Sequence, residues 1–116
     1  MFLLANEFNH VSLLMNVSDL RHRVISHNLA NVNTPGYERL DVVFEELLAQ
    51  KVRGGEASGT PVTPKVVPDA AAKPRGDGNS VDVDSEIGHL NRNALLFQTY
   101  SQLLSSQFDL MRRAIR

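Results

Sequence analysis

Between Asp84 and Ile115, Ile87, Leu90, Ala94, Phe97, Ser101, Leu104, Phe108, Met111 and Ile115 follow one another at alternating steps of three and four. Such spacing belongs to a long helix with a heptad seam. Asp84 is placed to cap this helix by accepting from the first free backbone N–H groups. Glu86 falls in the positive first turn, and Arg112, Arg113 and Arg116 gather at the negative end. At ~1.5 Å per residue the helix is about 45–50 Å long, and it cannot bury such a stripe by itself. A second row, Leu96, Leu103 and Leu110, runs beside the seam at the same seven-residue interval. The apolar face is therefore wider than a two-stranded coil uses, and the helix requires more than one neighbour.

A matching helix is expected near the start of the chain. From about Phe8 onward, Leu13, Val17, Leu20, Val24, His27 and Asn31 repeat the same steps. This seam turns polar towards its end, with His27 and Asn31 in seam positions and Asn28 beside them. Two accounts stay open: a helix end whose amides meet water, or buried amides that fix register between helices. Asn33-Thr34-Pro35-Gly36-Tyr37 then stops the helix. Pro35 pushes Thr34 out of the helical region and sets the φ of a turn's second residue, and Gly36 supplies the positive φ of a type II turn.

Beyond the turn, Leu40, Val43, Phe44, Leu47 and Leu48 read as the stripe of a short amphipathic helix ending by Arg53, with Asp41, Glu45 and Glu46 on its wet side. From Gly54 to Gly78 the chain is rich in Gly, Pro, Ala, Ser and Thr and has no apolar period. Val62, Val66 and Val67 leave room for one extended piece, but Pro61, Pro64 and Pro68 argue against a central strand. The expected architecture is one elongated all-α domain. Its parts are an N-terminal helical region (1–53), a flexible linker (54–80) and a C-terminal helix (81–116), the two long helices pairing as an elongated coiled-coil-like hairpin.

Composition narrows the function. The net charge of -1 and pI near 6.4 leave no basic field that would track a phosphate backbone, so nucleic acid is not an expected partner. The absence of cysteine excludes disulfides and thiolate metal sites. The first residues lack a basic segment and a long apolar run, so neither a cleavable signal peptide nor direct membrane insertion is expected. Asp77-Gly78-Asn79-Ser80-Val81-Asp82-Val83-Asp84-Ser85-Glu86 departs from the calcium-loop pattern, because its glycine is second and Gly88 stands where the terminal Glu belongs. His10, His22, His27 and His89 form no pair at helical spacing that would seat a zinc ion. With no set of nucleophile, base and oxyanion donors, the expectation is no catalytic residue, metal, cofactor or small-molecule substrate.

Asn28-Leu29-Ala30-Asn31-Val32-Asn33-Thr34-Pro35-Gly36-Tyr37 resembles the N-terminal signature of bacterial flagellar basal-body rod proteins and related hook and axial proteins. Asp77 to Asp84 followed by Glu86, and then Asn93-Ala94-Leu95 with Phe97-Gln98, resemble the second block of that family's short proximal-rod subunits. Phe97 stands where the family commonly has Tyr. The resemblance marks Asn28, Asn31, Asn33, Thr34, Pro35, Gly36, Tyr37, Asp77, Gly78, Asn79, Asp82, Asp84 and Phe97 as signature positions, and the seam adds Leu104, Phe108 and Met111 as assembly positions. It implies a structural subunit of the periplasmic rod that transmits torque and encloses the export channel, itself exported by the flagellar type III apparatus. The implied partners are other copies of the chain, other rod proteins, and adaptor proteins of the membrane ring and export gate at the rod base. On the helices alone, a cytoplasmic coiled-coil adaptor or export chaperone is the competing reading.

Overall fold

The computed structural model describes residues 2–54 and 62–115, with side chains from Asn9 onward. Arg116, and the linker positions 55–61 with Pro61, lie outside the described residues. Five elements follow in order: helix α1 (Phe2–Ala30), strand β1 (Leu40–Val43), helix α2 (Glu45–Arg53), strand β2 (Lys65–Pro68) and helix α3 (Val83–Ile115). The two long helices lie antiparallel, since Asn28 near the end of α1 meets Glu86 and the earlier Ser18 meets the later Asn93. The molecule measures 62 × 31 × 14 Å.

The all-α expectation needs correction, because β1 and β2 form a two-stranded antiparallel sheet with Leu40 opposite Pro68 and Val43 opposite Lys65. The stripe from Leu40 to Leu48 is therefore not one helix. Asn28 holds both main-chain groups of Leu40, its Nδ2 donating to the carbonyl at 2.8 Å and its Oδ1 accepting from the N–H at 3.0 Å. The β-branched pair Val42-Val43 suits the extended chain that follows. Helix begins only after Phe44, with Glu45 and Glu46 in its positive first turn. Pro68 is tolerated in β2 because the Asp69 N–H bonds the Arg39 carbonyl at 2.8 Å, which makes the Leu40–Pro68 rung one that uses no ladder hydrogen bonds. Part of the expected linker is thus a strand with a defined register.

The core lies between α1 and this ribbon: Val17, Val24, Val42 and Phe44, with Leu13, Leu14, Leu20, Leu40 and Val62 packed around them. The expected α1 seam consequently faces the ribbon. The adjacent stripe faces α3, with Val11, Ser18 and Ile25 buried at seven-residue steps. Helix α3 shows the complementary displacement. Glu86 and Asn93 are its buried residues, and Tyr100 and Gln107 continue that row half-buried. Ile87, Phe97, Phe108 and the row Leu96, Leu103, Leu110 remain exposed. The internal seam is thus polar and lies one residue before the apolar one. The helix cap moves too: Asp82, not Asp84, accepts from the Asp84 N–H at 3.1 Å and from the Ser85 hydroxyl at 3.2 Å. Among the described residues no helix is long and apolar enough to cross a membrane.

Candidate functional site

The C-terminus of α1 is finished by residues from the other end of the chain. Thr34-Pro35-Gly36-Tyr37 forms a turn closed by the Tyr37 N–H on the Thr34 carbonyl at 3.3 Å, with Gly36 at φ 73. Helices end with unpaired carbonyls. Here the fully buried Asn79 answers them, its Nδ2 donating to the carbonyls of Asn31, Val32 and Thr34 at 2.9, 3.0 and 2.8 Å. Its Oδ1 accepts from the Val81 N–H at 2.8 Å, which sets the direction in which α3 starts. The Gly36 N–H bonds the Asp77 carbonyl at 2.9 Å, and the Ser80 N–H bonds the Tyr37 carbonyl at 3.1 Å. Gly78, at φ 83, packs so closely that a Cβ there would lie 3.3 Å from the Gly36 Cα. Arg75 reaches across to the carbonyls of Val32 and Val81.

Beneath this lacing lies a buried polar cluster. Asn28 is fully buried, and its Oδ1 also accepts from the Tyr37 hydroxyl at 2.9 Å. Because that hydroxyl gives its one proton to Asn28, the contact from His27 Nδ1 at 2.7 Å is a donation by the imidazole. Glu86, with no exposed surface, pairs with the Arg39 guanidinium and receives Asn28 Nδ2 at 3.4 Å. Arg39 also reaches Asp69 at 2.8 Å, and its backbone N–H bonds the Ser80 hydroxyl at 2.8 Å. Burial pushes Arg39 down, but the hydrogen bond and charge of Glu86, with Asp41 and Asp69, more than offset it and hold the pKa above its ordinary value. Tyr37 is raised by burial first and by the Glu86 charge second. Farther along the helix pair, Asn93 donates to the Ser18 carbonyl at 2.7 Å and accepts from its hydroxyl at 3.0 Å.

Chemically this is a lock. The buried charges are committed to one another, and among the described residues no group of three or more His, Asp or Glu side chains is placed to hold a metal ion. The lock gathers Asn28, Asn31, Thr34, Gly36, Tyr37, Asp77, Gly78 and Asn79. Asn31 is half-buried, donating to the His27 carbonyl at 2.9 Å and accepting from the Thr34 hydroxyl at 3.2 Å. Of the two open accounts of the polar helix end, burial falls to Asn28, while His27 is exposed. Asn33 and Pro35 lie exposed on the turn, and Asp82 and Asp84 lie at the start of α3. Phe97, Leu104, Phe108 and Met111 are spread along α3 beyond the lock. Arg39, Asp69, Arg75, Ser80 and the Ser18–Asn93 pair are absent from the expected set. One signal for the polar row was available: Glu86 and Asn93 are seven residues apart, in step with the seam.

No profile of a known protein family matches the chain. Comparison with individual curated proteins gives flagellar basal body rod protein FlgB of Yersinia enterocolitica, 31% identical over 80% of this chain and 81% of that protein. FlgB of Aeromonas hydrophila is 31% identical over 88% of this chain and 86% of that protein. FlgB of Bacillus subtilis is 26% identical over 99% of this chain and 97% of that protein. An alignment of that extent takes in both halves of the lock and both long helices, so the likeness is one of whole molecules, and the chain belongs to the flagellar basal body rod protein FlgB family.

Proposed function

We propose that this chain is a structural subunit of the flagellar basal body, building the proximal rod of a drive shaft that transmits torque and encloses the export channel. The observation that carries the reading is the outer face of α3. Once α1 has covered the polar inner row, Ile87, Leu96, Phe97, Leu103, Phe108 and Leu110 still face outward, each more than a third exposed. These apolar rows flank the covered row, Leu96, Leu103 and Leu110 on one side and Ile87, Phe97 and Phe108 on the other, and exposed apolar rows of this kind mark surfaces built for other chains. The partners they fit are further copies of the chain and other rod proteins, with adaptors of the membrane ring and export gate at the rod base. In the tube the terminal helices pack in coiled-coil fashion, with Phe97, Leu104, Phe108 and Met111 as assembly positions. The lock fixes the angle at which the two helices leave each other. Export through the flagellar type III apparatus brings the subunit to the periplasm. The cytoplasmic adaptor reading is not favoured, because the end-to-end relatives are rod proteins.

The test uses a strain lacking the native protein, complemented with wild type, Leu103→Glu or Phe108→Ala, and scores the chain in detergent-extracted basal bodies. Wild type should restore rods and swimming. Leu103→Glu should be expressed and fold but fail to incorporate, and Phe108→Ala, which costs ~3–5 kcal/mol inside a packed interface, should incorporate poorly. Normal rods with both variants would remove the outer face of α3 as the assembly surface.

A further inference from the structure

A cavity of about 520 Å3 lies between α1, β1 and α3, with Ile25, Phe44 and Leu96 among its apolar lining and His89 and Arg92 on its α3 side. Strand β1 presents an edge to it. The Asp69–Arg39 bond and the register make Asp41 and Val43 the residues that bond β2, so the main-chain groups of Leu40 and Val42 point the other way. On that second edge the Leu40 N–H and C=O are both taken by the Asn28 carboxamide, which occupies the place of a residue in a third strand. The next rung is Val42. Its N–H and C=O have no partner among the described residues, although the residue is only 6% exposed. Main-chain groups at so little exposure are nearly always paired. Charges of both signs line the rest of the cavity, Arg21, Arg39, His89 and Arg92 with Asp41, Glu45 and Glu46.

Resting on the rod reading above, we propose that this groove receives an extended segment of a neighbouring rod subunit, which adds as a short third strand beside β1. Its main chain pairs with Val42, and an apolar side chain packs on Phe44 and Leu96. Main-chain pairing selects an extended occupant over a helix, whose own N–H and C=O groups are consumed internally. The outer edge of β2 is a poorer choice, because Pro64 and Pro68 bracket it.

Val42→Pro removes the N–H that faces the groove and blocks a third strand, while leaving every β1–β2 ladder bond in place. The expected result is a chain that still folds, at some cost in melting temperature because Val42 is a core residue, but enters basal bodies at about a tenth of the wild-type level or less, the scale of one lost net hydrogen bond. In wild-type protein, amide exchange in the peptide covering residues 40–44 should slow by about tenfold or more on going from the isolated chain to purified basal bodies. Full incorporation of a folded Val42→Pro chain, or unchanged exchange at residues 40–44, would mean that only water fills the groove. If Val42→Pro does not fold, the wild-type exchange measurement decides. Leu103→Glu tests the rod reading independently, so normal rods with Val42→Pro and none with Leu103→Glu would sink the groove alone.

Discussion

Replacing Arg39 by Met and Glu86 by Leu, singly and together, probes the lock where its charges are most deeply buried. Arg39→Met leaves Glu86 with no exposed surface, no cation, and only the long contact from Asn28 at 3.4 Å. Removing one member of a buried pair costs ~3–5 kcal/mol, because the survivor stays charged without solvent. Glu86→Leu is milder, since Arg39 keeps Asp69 at 2.8 Å and its side chain is 10% exposed, and a loss of ~1–3 kcal/mol is expected. In the double variant the fully buried charge is gone and the carboxylate that loses Arg39, Asp69, keeps access to water, so the cost should fall below that of Arg39→Met alone. Against a domain stability of ~5–15 kcal/mol, Arg39→Met is a large fraction of the total. At ~4–8 °C per kcal/mol it should lower the melting temperature by on the order of 12–40 °C. Urea and thermal melts read by far-ultraviolet circular dichroism, with tyrosine fluorescence reporting Tyr37 and Tyr100 together, measure all three. Equal costs for the two single variants, or a double variant equal to their sum, would refute the reasoning that Glu86 depends on Arg39 more than Arg39 depends on Glu86.

Gly78→Ala should destabilise more than Gly36→Ala: both sit at positive φ, costing ~1–3 kcal/mol for a side chain, but only at Gly78 does the new Cβ press on another backbone, 3.3 Å from the Gly36 Cα. Equal melting points for the two would show that the turns separate freely. Asn79→Ala leaves the carbonyls of Asn31, Val32 and Thr34 short of a donor, and faster amide exchange at residues 28–37 together with ~2 kcal/mol of lost stability is the expected readout. Burial pushes Glu45 up, but its hydrogen bond from Arg21 holds the pKa below the ordinary 4.5. The stability this pair gives is therefore present above 4.5 and is lost as the pH falls through the lower folded value. Because Glu45 is largely exposed, Arg21→Ala should cost only ~0.2–1 kcal/mol at neutral pH, and the difference from wild type should vanish in acid.

The two long helices and the Pro35-Gly36 turn are legible in the sequence because each rests on a local rule: heptad spacing, a fixed φ and a glycine at positive φ. The ribbon is not legible. Leu40 to Leu48 carries a passable helical stripe, and what overrides it is the carboxamide of Asn28, a contact no local pattern encodes. The same limit applies to Arg39, whose partners Asp69 and Glu86 come from two different later segments. For α3 the period was right and its phase was not. The apolar row suggested what the partner helix covers, whereas α1 covers Glu86 and Asn93 and leaves the leucines to the outside. The signature positions around Asn28 and Asn79 were identified by resemblance, and only the structure shows that each amide bonds the backbone of the other segment or its neighbour.

The polar row between the long helices bears on mechanics. Apolar side chains resist being pulled apart, but they slide past one another at little cost, because dispersion has almost no direction. Hydrogen bonds weaken steeply with lengthening and misalignment. With Ser18 doubly bonded to Asn93, and Asn28 joined to Glu86, axial slippage of one helix along the other is opposed at two separate levels. A leucine-filled seam would grip more tightly and shear more easily. For a part loaded in torsion, stiffness against shear is the property that matters, and here it resides in two amides, a hydroxyl and a carboxylate.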